Sequence, residues 1–344
     1  MALVLALAAG LLLLGRVFRV PWGPQAALLG ILFGAVALIQ MTLPQGHALR
    51  AATGGSLANW GILAGLGALA GGYALLLRHL RARAAPTEPP AGQGTFSAAE
   101  LERYARHIVL RELGGPGQKK LKGARVLVVG AGGLGSPALL YMAAAGVGTI
   151  GVVDDDEVSL SNLQRQVIHT DERQGMAKVF SAQIAMREIN PHVTVRPYRR
   201  RLDAETAEAL FADYDLVLDG SDNFETRYLV NASCVATRTP LIAAAITQWE
   251  GQISLYDPAR GAPCYACVFP REPAEGLAPS CAEAGVIGAL PGVVGAMMAM
   301  EAIKEITGAG ESLRGRLMLY DALHGENRIV RVARRADCAV CGGI

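Results

Sequence analysis

Four cysteines occur as two CxxC pairs, Cys264/Cys267 and Cys338/Cys341. Four thiolates can surround a zinc ion tetrahedrally, and paired CxxC motifs are typical of such sites. Because the two pairs are far apart in the chain, a shared zinc would join two distant segments. Disulfides and a redox-active CxxC are the alternatives, and the presence of two copies favours a metal.

A glycine-rich turn, Gly130–Gly135 (GAGGLG), follows the strand-like segment Arg125–Val129. A helix to about Ala145 is predicted next, and then a second strand, Thr149–Val153, which is followed by Asp154. Glycines let the backbone approach phosphate, a helix N-terminus attracts anions, and the acid can bind a ribose. The pattern predicts nucleotide binding. Taken alone, it is most often found in oxidoreductases, so an NAD- or FAD-dependent oxidoreductase stays open.

A long polar run, Asp154–Gln166 (DDDEVSLSNLQRQ), follows the second strand directly. An oxidoreductase does not need this run. With the glycine turn and the cysteine pairs, it closely resembles the signature of the MoeB/ThiF/HesA family, the bacterial relatives of ubiquitin-activating enzymes. The resemblance extends from about Phe96 to the C-terminus. It is nearest to the MoeB branch in Ser159–Asn162 and Ala284–Lys304.

The resemblance implies an ATP-dependent adenylyltransferase that activates the C-terminal glycine carboxylate of a ubiquitin-like sulfur carrier ending in Gly-Gly and releases pyrophosphate. The carrier's carboxylate and the α-phosphate of ATP are both anionic and must come into contact. Positive groups and Mg²⁺ therefore have to neutralise their negative charge. The expected carrier is the molybdopterin-synthase small subunit of molybdenum cofactor biosynthesis, and the thiamine-pathway carrier is the alternative. A non-catalytic scaffold would be expected to have lost the charged residues, yet they are present.

The resemblance also assigns roles to individual residues. Arg106 would reach the active site of the other subunit of a homodimer, and Asp222 would hold Mg²⁺. Asp154 would hold the ribose. The catalytic candidates are Arg106, Arg165, Lys178, Asp222 and Cys281. The nucleotide-binding candidates are Gly130, Gly132, Gly133, Gly135, Asp154, Asn162, Arg165, Lys178, Asp222 and Asn223, with the phosphates contacted by Asn162, Arg165 and Lys178.

Each of these residues also has a simpler interpretation. The basic side chains could be solvated surface charges, and Asp222 could cap a helix. Asp155 and Asp156 could face solvent only. Cys281 resembles the family's sulfur-handling or thioester-forming cysteine, or it is a free thiol in a loop. Cys234 lies in an apolar helical segment and is predicted to be a small buried hydrophobe. The four cysteines of the CxxC pairs, in the family, hold a structural zinc.

Alternating helices and strands must position these residues. Ser97 and Glu100 form a capping-box pattern that predicts a helix over Ala98–Leu113. The alternation predicts an α/β fold with a Rossmann-like, doubly wound, mostly parallel sheet and a more strand-rich part from Gly251. Further helices are predicted at Gly175–Ile189, Ala204–Phe211, Asn223–Ala236 and about Pro291–Ile306, and further strands at Val193–Tyr198, Asp215–Leu218 and Leu241–Ala245.

The composition divides the chain into two parts. Hydrophobic residues make up 51% and charged residues 18%, and the mean hydropathy is +0.30, which excludes a disordered chain and suggests contact with lipid. Residues 1–85 hold six of the 32 basic and none of the 30 acidic residues, a net charge of +6, and the rest is −4. Neither part is a broad basic surface, so nucleic acid is not an expected partner.

Three apolar runs, Ala2–Gly15, Ala26–Leu43 and Leu57–Leu77, predict two to three transmembrane helices in an anchor over residues 1–83. The positive charge follows the first run, which disfavours a signal peptide. Because basic residues stay in the cytoplasm, the arginines place the catalytic domain there, on the inner membrane, with Pro44–Ser56 outside. Residues 84–96 are rich in Pro, Gly and Ala and predict a linker to a domain over residues 97–344.

Two features near the C-terminus complete the prediction. The apolar run Ala284–Met300 contains Pro291 and several glycines and has a cysteine pair on either side in the sequence, so it is expected to be a core helix rather than a span. The sequence ends at Ile344, just after the second pair, which predicts that no rhodanese domain follows and that a separate sulfur donor is needed.

Overall fold

The computed structural model describes residues 2–54 except 19 and 21, isolated positions between 58 and 76, and residues 95–273 and 284–344. The chain divides into two compact units, Met1–Gly92 and Gln93–Ile344. The proposed linker and the third apolar run fall wholly or partly outside the described residues.

The first unit contains apolar helices where the first two runs predicted them. The described helices are α1 (Ala2–Val17), α2 (Trp22–Thr42) and α3 (Ala48–Ala52). By length and composition, Gly23–Thr42 is the one helix among the described residues that could cross a bilayer, and α1 is shorter. Arg50 Nη1 donates to Leu43 O at the C-terminal end of α2 (2.7 Å), where a helix leaves carbonyl groups unpaired.

In the described part of the second unit, eight strands form one sheet in the order β3-β2-β1-β4-β5-β6-β7-β8. Strands β1 to β5 are parallel, and β6 to β8 continue the sheet in antiparallel fashion. This confirms the mostly parallel sheet and the strand-rich C-terminal part. The strands are β1 (Arg125–Val129), β2 (Thr149–Val153), β3 (Thr194–Tyr198), β4 (Leu216–Asp219), β5 (Leu241–Thr247), β6 (Glu250–Tyr256), β7 (Arg316–Asp321) and β8 (Glu326–Arg331).

Helices cover both faces of the parallel strands. Along β1, Val126 and Val128 point into one buried cluster, and Leu127 and Val129 point into the other. A strand buried on both faces is apolar throughout, which is why β1 was recognisable in the sequence. The helices of this unit are α4 (Ala98–Arg103), α5 (Ala105–Ile108), α6 (Gly114–Gly123), α7 (Gly135–Ala145), α8 (Lys178–Ile189), α9 (Ala204–Phe211), α10 (Phe224–Thr237), α11 (Tyr265–Val268) and α12 (Ala289–Thr307).

The predicted helix Ala98–Leu113 is wrong in its extent. The capping box is present, since the Ser97 hydroxyl accepts from Glu100 N and the Glu100 carboxylate accepts from Ser97 N. The chain then turns at Tyr104, whose ring is buried against Gly146 and whose hydroxyl accepts a hydrogen bond from Asn190 Nδ2 (2.8 Å). Burying this ring requires the break, and α6, which the sequence did not predict, follows.

The apolar run Ala284–Met300 belongs to the core, as predicted. Most of it forms the first turns of α12, which packs against α7 and buries Leu290, Val294 and Met298. Its glycines permit close packing, because a Cβ on Gly295 would lie 2.3 Å from Leu134 O in the glycine turn. The helix therefore holds the turn that the site requires.

Candidate active site

A cleft of about 1470 Å³ opens at the carboxyl ends of β1 and β4. The chain proceeds from β1 to β2 on one side and from β3 across to β4 on the other, and open α/β sheets bind ligands at such a reversal of strand order. Most of the predicted site residues line this cleft. The predicted residues that line it are Gly130, Gly132, Gly133, Asp154, Arg165, Lys178, Asp222 and Asn223.

The turn after β1 requires glycine at two positions. Gly130 has φ +92°, and a Cβ on Gly135 would lie 1.9 Å from Gly130 O. The turn leads into the N-terminus of α7, where the helix dipole favours an anion. A nucleotide phosphate is the ligand that this geometry suits.

His169, which was not predicted from the sequence, fixes the glycine turn by a hydrogen bond to its backbone at Ala131. Its buried ring bonds Ala131 O through Nε2 and Ser181 Oγ through Nδ1, each at 2.9 Å. A carbonyl only accepts, so Nε2 carries the proton and Nδ1 accepts from the hydroxyl. Burial lowers the pKa of His169 to about 4, which keeps the ring neutral at physiological pH.

Asp154 lies at the end of β2 with its carboxylate facing the turn. Oδ2 accepts from Ala131 N (2.7 Å) and Oδ1 from Asp156 N (2.9 Å). Burial raises the pKa of the Asp154 carboxyl, and the Lys178 ammonium acts in the opposite direction. The structure thus places Asp154 at the cleft, where its carboxylate fixes the glycine turn, and its contact with a ribose stays a prediction.

Lys178 is the first residue of α8, and its side chain is only 5% exposed. Its ammonium contacts Asp156 Oδ2 at 2.6 Å, and its backbone N–H donates to Asp156 O. Asp156, which the sequence suggested could simply face solvent, therefore orients this lysine toward the cleft. A buried ammonium with one carboxylate partner is suited to bind phosphate.

Arg165 and Asn162 act as a pair. Arg165 Nη2 donates to Asn162 Oδ1 (2.9 Å), and Nη1 donates to Ser161 O (3.2 Å). Asn162 ends the short 3₁₀ turn Leu160–Asn162, and it supports Arg165 rather than lining the cleft itself. The guanidinium is thereby held at the cleft wall.

Asp222 is exposed at the cleft, beyond the end of β4. The helix cap is its neighbour Asn223, whose Oδ1 accepts from Thr226 N (2.9 Å) at the start of α10. The capping interpretation of Asp222 is therefore wrong, and its carboxylate is placed to bind a cation.

A buried ion pair that the sequence did not reveal secures the loop that carries Asp222. Asp219 and Arg227 face each other at 3.9 Å, and Arg227 also donates to Ser221 O and Ala244 O. Arg227 shares the buried face of α10 with Val230, Asn231 and Cys234, a mixed pattern that gives the ion pair no clear signal in the sequence. Removing one partner of such a pair strands a buried charge, so both residues support the site.

Among the described catalytic candidates, Arg106 is the one that does not line the cleft. It is exposed on α5, so a contribution to a partner subunit stays a prediction. Cys281 lies outside the described residues. Cys234 is buried in α10, as predicted, and burial raises the pKa of its thiol well above the ordinary value, so it stays protonated.

Comparison with known proteins identifies the group to which the chain is related. The ThiF family model matches residues 104–340. The chain belongs to the ThiF family. It is 49% identical over 251 residues to a sulfur carrier protein adenylyltransferase of Thermus thermophilus, covering 72% of this chain and 93% of that protein. It is 47% identical over 248 residues to a SAMP-activating enzyme E1 of Haloferax volcanii, covering 72% and 91%.

A third relative is longer than the matched region. The adenylyltransferase and sulfurtransferase MOCS3 of Bos taurus is 49% identical over 262 residues, which are 76% of this chain and only 57% of that protein. Among solved structures, E. coli MccB with ATP superposes with a TM-score of 0.62 at 24% identity, covering 70% of this chain and 75% of MccB. Selenomethionine-labelled PaaA gives 0.61 at 21%, covering 76% and 82%. These likenesses show the same fold.

The family assignment confirms the MoeB/ThiF-type resemblance. Together, the family and the relatives' names also bear out the expectation of an adenylyltransferase. They favour it over an oxidoreductase, the alternative that the glycine turn alone left open.

The four cysteines of the CxxC pairs form one buried cluster in this ThiF-family fold. The Sγ atoms lie 3.8 Å apart for Cys264/Cys267, 3.6 Å for Cys264/Cys338 and 3.4 Å for Cys267/Cys341. Sulfur atoms around a tetrahedral zinc, each about 2.3 Å from the metal, are separated by about 3.8 Å. All four thiols are free, so the cluster could hold zinc.

Proposed function

We propose that this chain uses ATP to adenylate the C-terminal glycine carboxylate of a ubiquitin-like sulfur carrier. The observation that carries the proposal is the cleft, which places a glycine turn, Arg165, Lys178 and Asp222 around one space in a ThiF-family fold. The relatives' names, which include a sulfur carrier protein adenylyltransferase, support the same class of substrate.

The reaction needs charge neutralisation more than covalent help from the protein. A carboxylate oxygen of the carrier attacks the α-phosphorus, the bond to the pyrophosphate oxygen breaks, and an acyl adenylate and pyrophosphate result. Lys178 and Arg165 bind the phosphate oxygens and stabilise the charge that develops on them. Asp222 would hold a Mg²⁺ ion, whose oxygen-ligand preference its exposed carboxylate fits, and that ion would offset charge on the leaving pyrophosphate.

The molybdopterin-synthase small subunit is the proposed carrier, with the thiamine-pathway carrier as the alternative. The support is the likeness of Ser159–Asn162 and Ala284–Lys304 to the MoeB branch. The test is exchange of labelled pyrophosphate into ATP with each purified carrier in turn. We expect exchange with a carrier ending in Gly-Gly and none when that terminus is deleted; exchange without any carrier would contradict the proposal.

Three further parts of the proposal concern a metal ion, the oligomeric state and a partner protein. The cysteine cluster holds a structural zinc, because its four thiols are buried and none of the four cysteines lines the cleft. The enzyme is a homodimer in which exposed Arg106 completes the partner's site. A separate protein supplies sulfur to the adenylated carrier.

The first unit is proposed to anchor the enzyme in the cell membrane with the catalytic unit in the cytoplasm. Support comes from the apolar helix Gly23–Thr42 and from the arginines, which follow the first and third apolar runs. No candidate site residue precedes Arg106, so location is the proposed role of the anchor.

Deleting residues 1–84 should therefore give a soluble enzyme with unchanged pyrophosphate exchange. For orientation, a single accessible cysteine placed at Gln45 should react with an impermeant thiol reagent in intact cells, and one placed at Gln93 should not. The reverse labelling would overturn the orientation. An insoluble or inactive truncated protein would show that the catalytic unit depends on the anchor.

A further inference from the structure

Tyr265 is a buried tyrosine in the wall of the cleft that was not predicted to be a site residue. It is the first residue of α11 and lies between Cys264 and Cys267 of the cysteine cluster. Its residue exposure is only 4%, yet it lines the cleft. Its place in the wall is therefore set by the fold, and only a small part of its surface faces the cleft.

Packing and a backbone hydrogen bond fix Tyr265 in place. The backbone N–H donates to Asn231 Oδ1 at 2.8 Å. The ring is held by three aromatic neighbours, whose centroids lie 5.5, 5.7 and 4.9 Å away in Tyr228, Tyr256 and Phe269. The side chain is thus oriented before any ligand binds.

The hydroxyl group of Tyr265 is available to a ligand. Among the residues that the structure describes, none forms a hydrogen bond with this hydroxyl, and it is not one of the fully buried polar atoms that lack a partner. It is therefore open to its surroundings, which are the cleft. Because a tyrosine hydroxyl donates a hydrogen bond at neutral pH, the cleft wall contains a fixed and uncharged donor.

The cleft beside Tyr265 extends over one face of the antiparallel strands. Tyr265 belongs to the same buried cluster as Ala243 of β5, and alternate residues of a strand share a face. The cleft-lining residues of this face include one that lies two positions after Ala243 and its successive cross-strand partners, Ala245, Gln252, Leu319 and Arg328. This row crosses three strand spacings, about 14 Å, which is the length of about four residues of extended chain.

A peptide that crosses the face of a sheet finds no backbone partners there. The N–H and C=O groups of the strands point to neighbouring strands, and only side chains project from the face. A peptide ending in Gly-Gly, as the proposed carrier does, offers only backbone groups for recognition at those two residues. Its carbonyl groups need donors once they leave water, and Tyr265 supplies one.

The position of Tyr265 in the sheet favours a peptide over the nucleotide. Its ring contacts Tyr256 of β6, whereas Arg165 and Lys178 lie in the connection after β2. Three strands, β1, β4 and β5, separate β2 from β6. The hydroxyl therefore lies toward the strand-rich side of the cleft and away from the side that carries these two cations.

We propose that Tyr265 is a positioning residue whose hydroxyl donates a hydrogen bond to a backbone carbonyl of the carrier's C-terminal segment. This inference rests on the proposed function for the identity of the peptide. The segment lies over the strand face with its terminal carboxylate directed toward the α-phosphate. The hydroxyl does not touch the reacting atoms, so it affects the affinity for the carrier rather than the rate at saturation.

The test is Tyr265→Phe in the full-length protein purified in mild detergent. Phenylalanine keeps the ring and its packing and removes only the hydroxyl. One lost hydrogen bond should raise the KM for the carrier in pyrophosphate exchange about three- to tenfold. We expect kcat, the Mg-ATP affinity measured by calorimetry without carrier, and the unfolding midpoint to match those of the wild type.

Tyr228→Phe is the matched control. Its hydroxyl donates to Phe269 O at 3.0 Å, and Tyr228 contacts the Tyr265 ring without lining the cleft. This variant should have a slightly lower unfolding midpoint and a wild-type KM for the carrier. An equal rise in KM in both variants would indicate altered packing of the rings and would overturn the inference.

Three results for Tyr265→Phe would also overturn it. An unchanged KM for the carrier would show that the hydroxyl does not contact the peptide. Weaker Mg-ATP binding would assign the hydroxyl to the nucleotide, and a lower unfolding midpoint would assign it to the fold. Absence of carrier-dependent exchange by the wild type contradicts the proposed function, whereas exchange by the wild type with an unchanged KM in the variant contradicts this inference alone.

Discussion

Replacing Lys178 by alanine is expected to slow carrier-dependent pyrophosphate exchange about a hundredfold. Losing one charged contact at the transferring phosphate commonly costs ~3 kcal/mol of transition-state stabilisation. Lys178 is buried, and its direct partner Asp156 is exposed, so the variant leaves the Asp156 carboxylate solvated. Asp154 loses the compensating charge of Lys178 but keeps its hydrogen bonds from Ala131 N and Asp156 N, so the variant should still fold. Arg165→Ala and Asp222→Ala are expected to show losses of the same order in kcat/KM.

The exposed Lys119 on α6 does not line the cleft and supplies the control, because Lys119→Ala removes a lysine charge without touching the site. Its exchange rate should equal that of the wild type. Lys178→Arg retains the charge in a different geometry and should recover only part of the activity. Wild-type rates in any two of the three alanine variants would show that the cleft does not bind the phosphates in this way.

The parallel core was predictable because its signals are local. β1 and β2 match their predicted bounds, since each is a short apolar run between turn-forming residues. The helix predicted at Gly175–Ile189 begins later, at Lys178, because Ala177 pairs with Glu157 in an isolated bridge and Gly175 has φ +77°. Positive φ and a bridge between distant residues leave little trace in sequence periodicity.

The charged residues of the site could be predicted from the sequence, but the buried residues that hold the loops around them could not. Arg165 and Lys178 lie in the connection after β2, and Asp222 follows β4, all in the family's order, so their convergence at one edge of the sheet could be expected. His169 and the Asp219–Arg227 pair depend on burial, which is set by packing between elements. A histidine or arginine that becomes buried looks like a surface residue until the fold is known.

Packing between elements also explains why the predicted helix Ala98–Leu113 is interrupted at Tyr104. The sequence from Ala98 continues with good helix formers, and the competing force is the burial of one aromatic ring against Gly146 and Asn190. Tertiary packing therefore overrides helix propensity, which is worth less than 1 kcal/mol per residue for ordinary side chains.

The cysteine cluster gives the second large expected effect, which concerns stability. Cys264→Ser removes one of four buried thiols that join α11 to the C-terminal segment. Zinc binding energy is folding energy in such sites, about 10–16 kcal/mol in isolated zinc-finger peptides. We expect about one zinc per wild-type chain by elemental analysis, much less in the variant, and an unfolding midpoint lower by ~10 °C or more.

Cys234→Ala separates loss of metal from loss of a buried sulfur, because Cys234 is buried in α10 and is not part of the cluster. It should lower the midpoint modestly and keep the zinc. If Cys264→Ser does not yield folded protein, treating the wild type with a zinc chelator provides the same comparison, and the midpoint should fall as zinc is released. A wild-type protein that is metal-free and equally stable would contradict the zinc assignment. It would leave the cluster, with Asn231 donating to Cys264 Sγ and accepting from Tyr265 N, as a hydrogen-bonded thiol core.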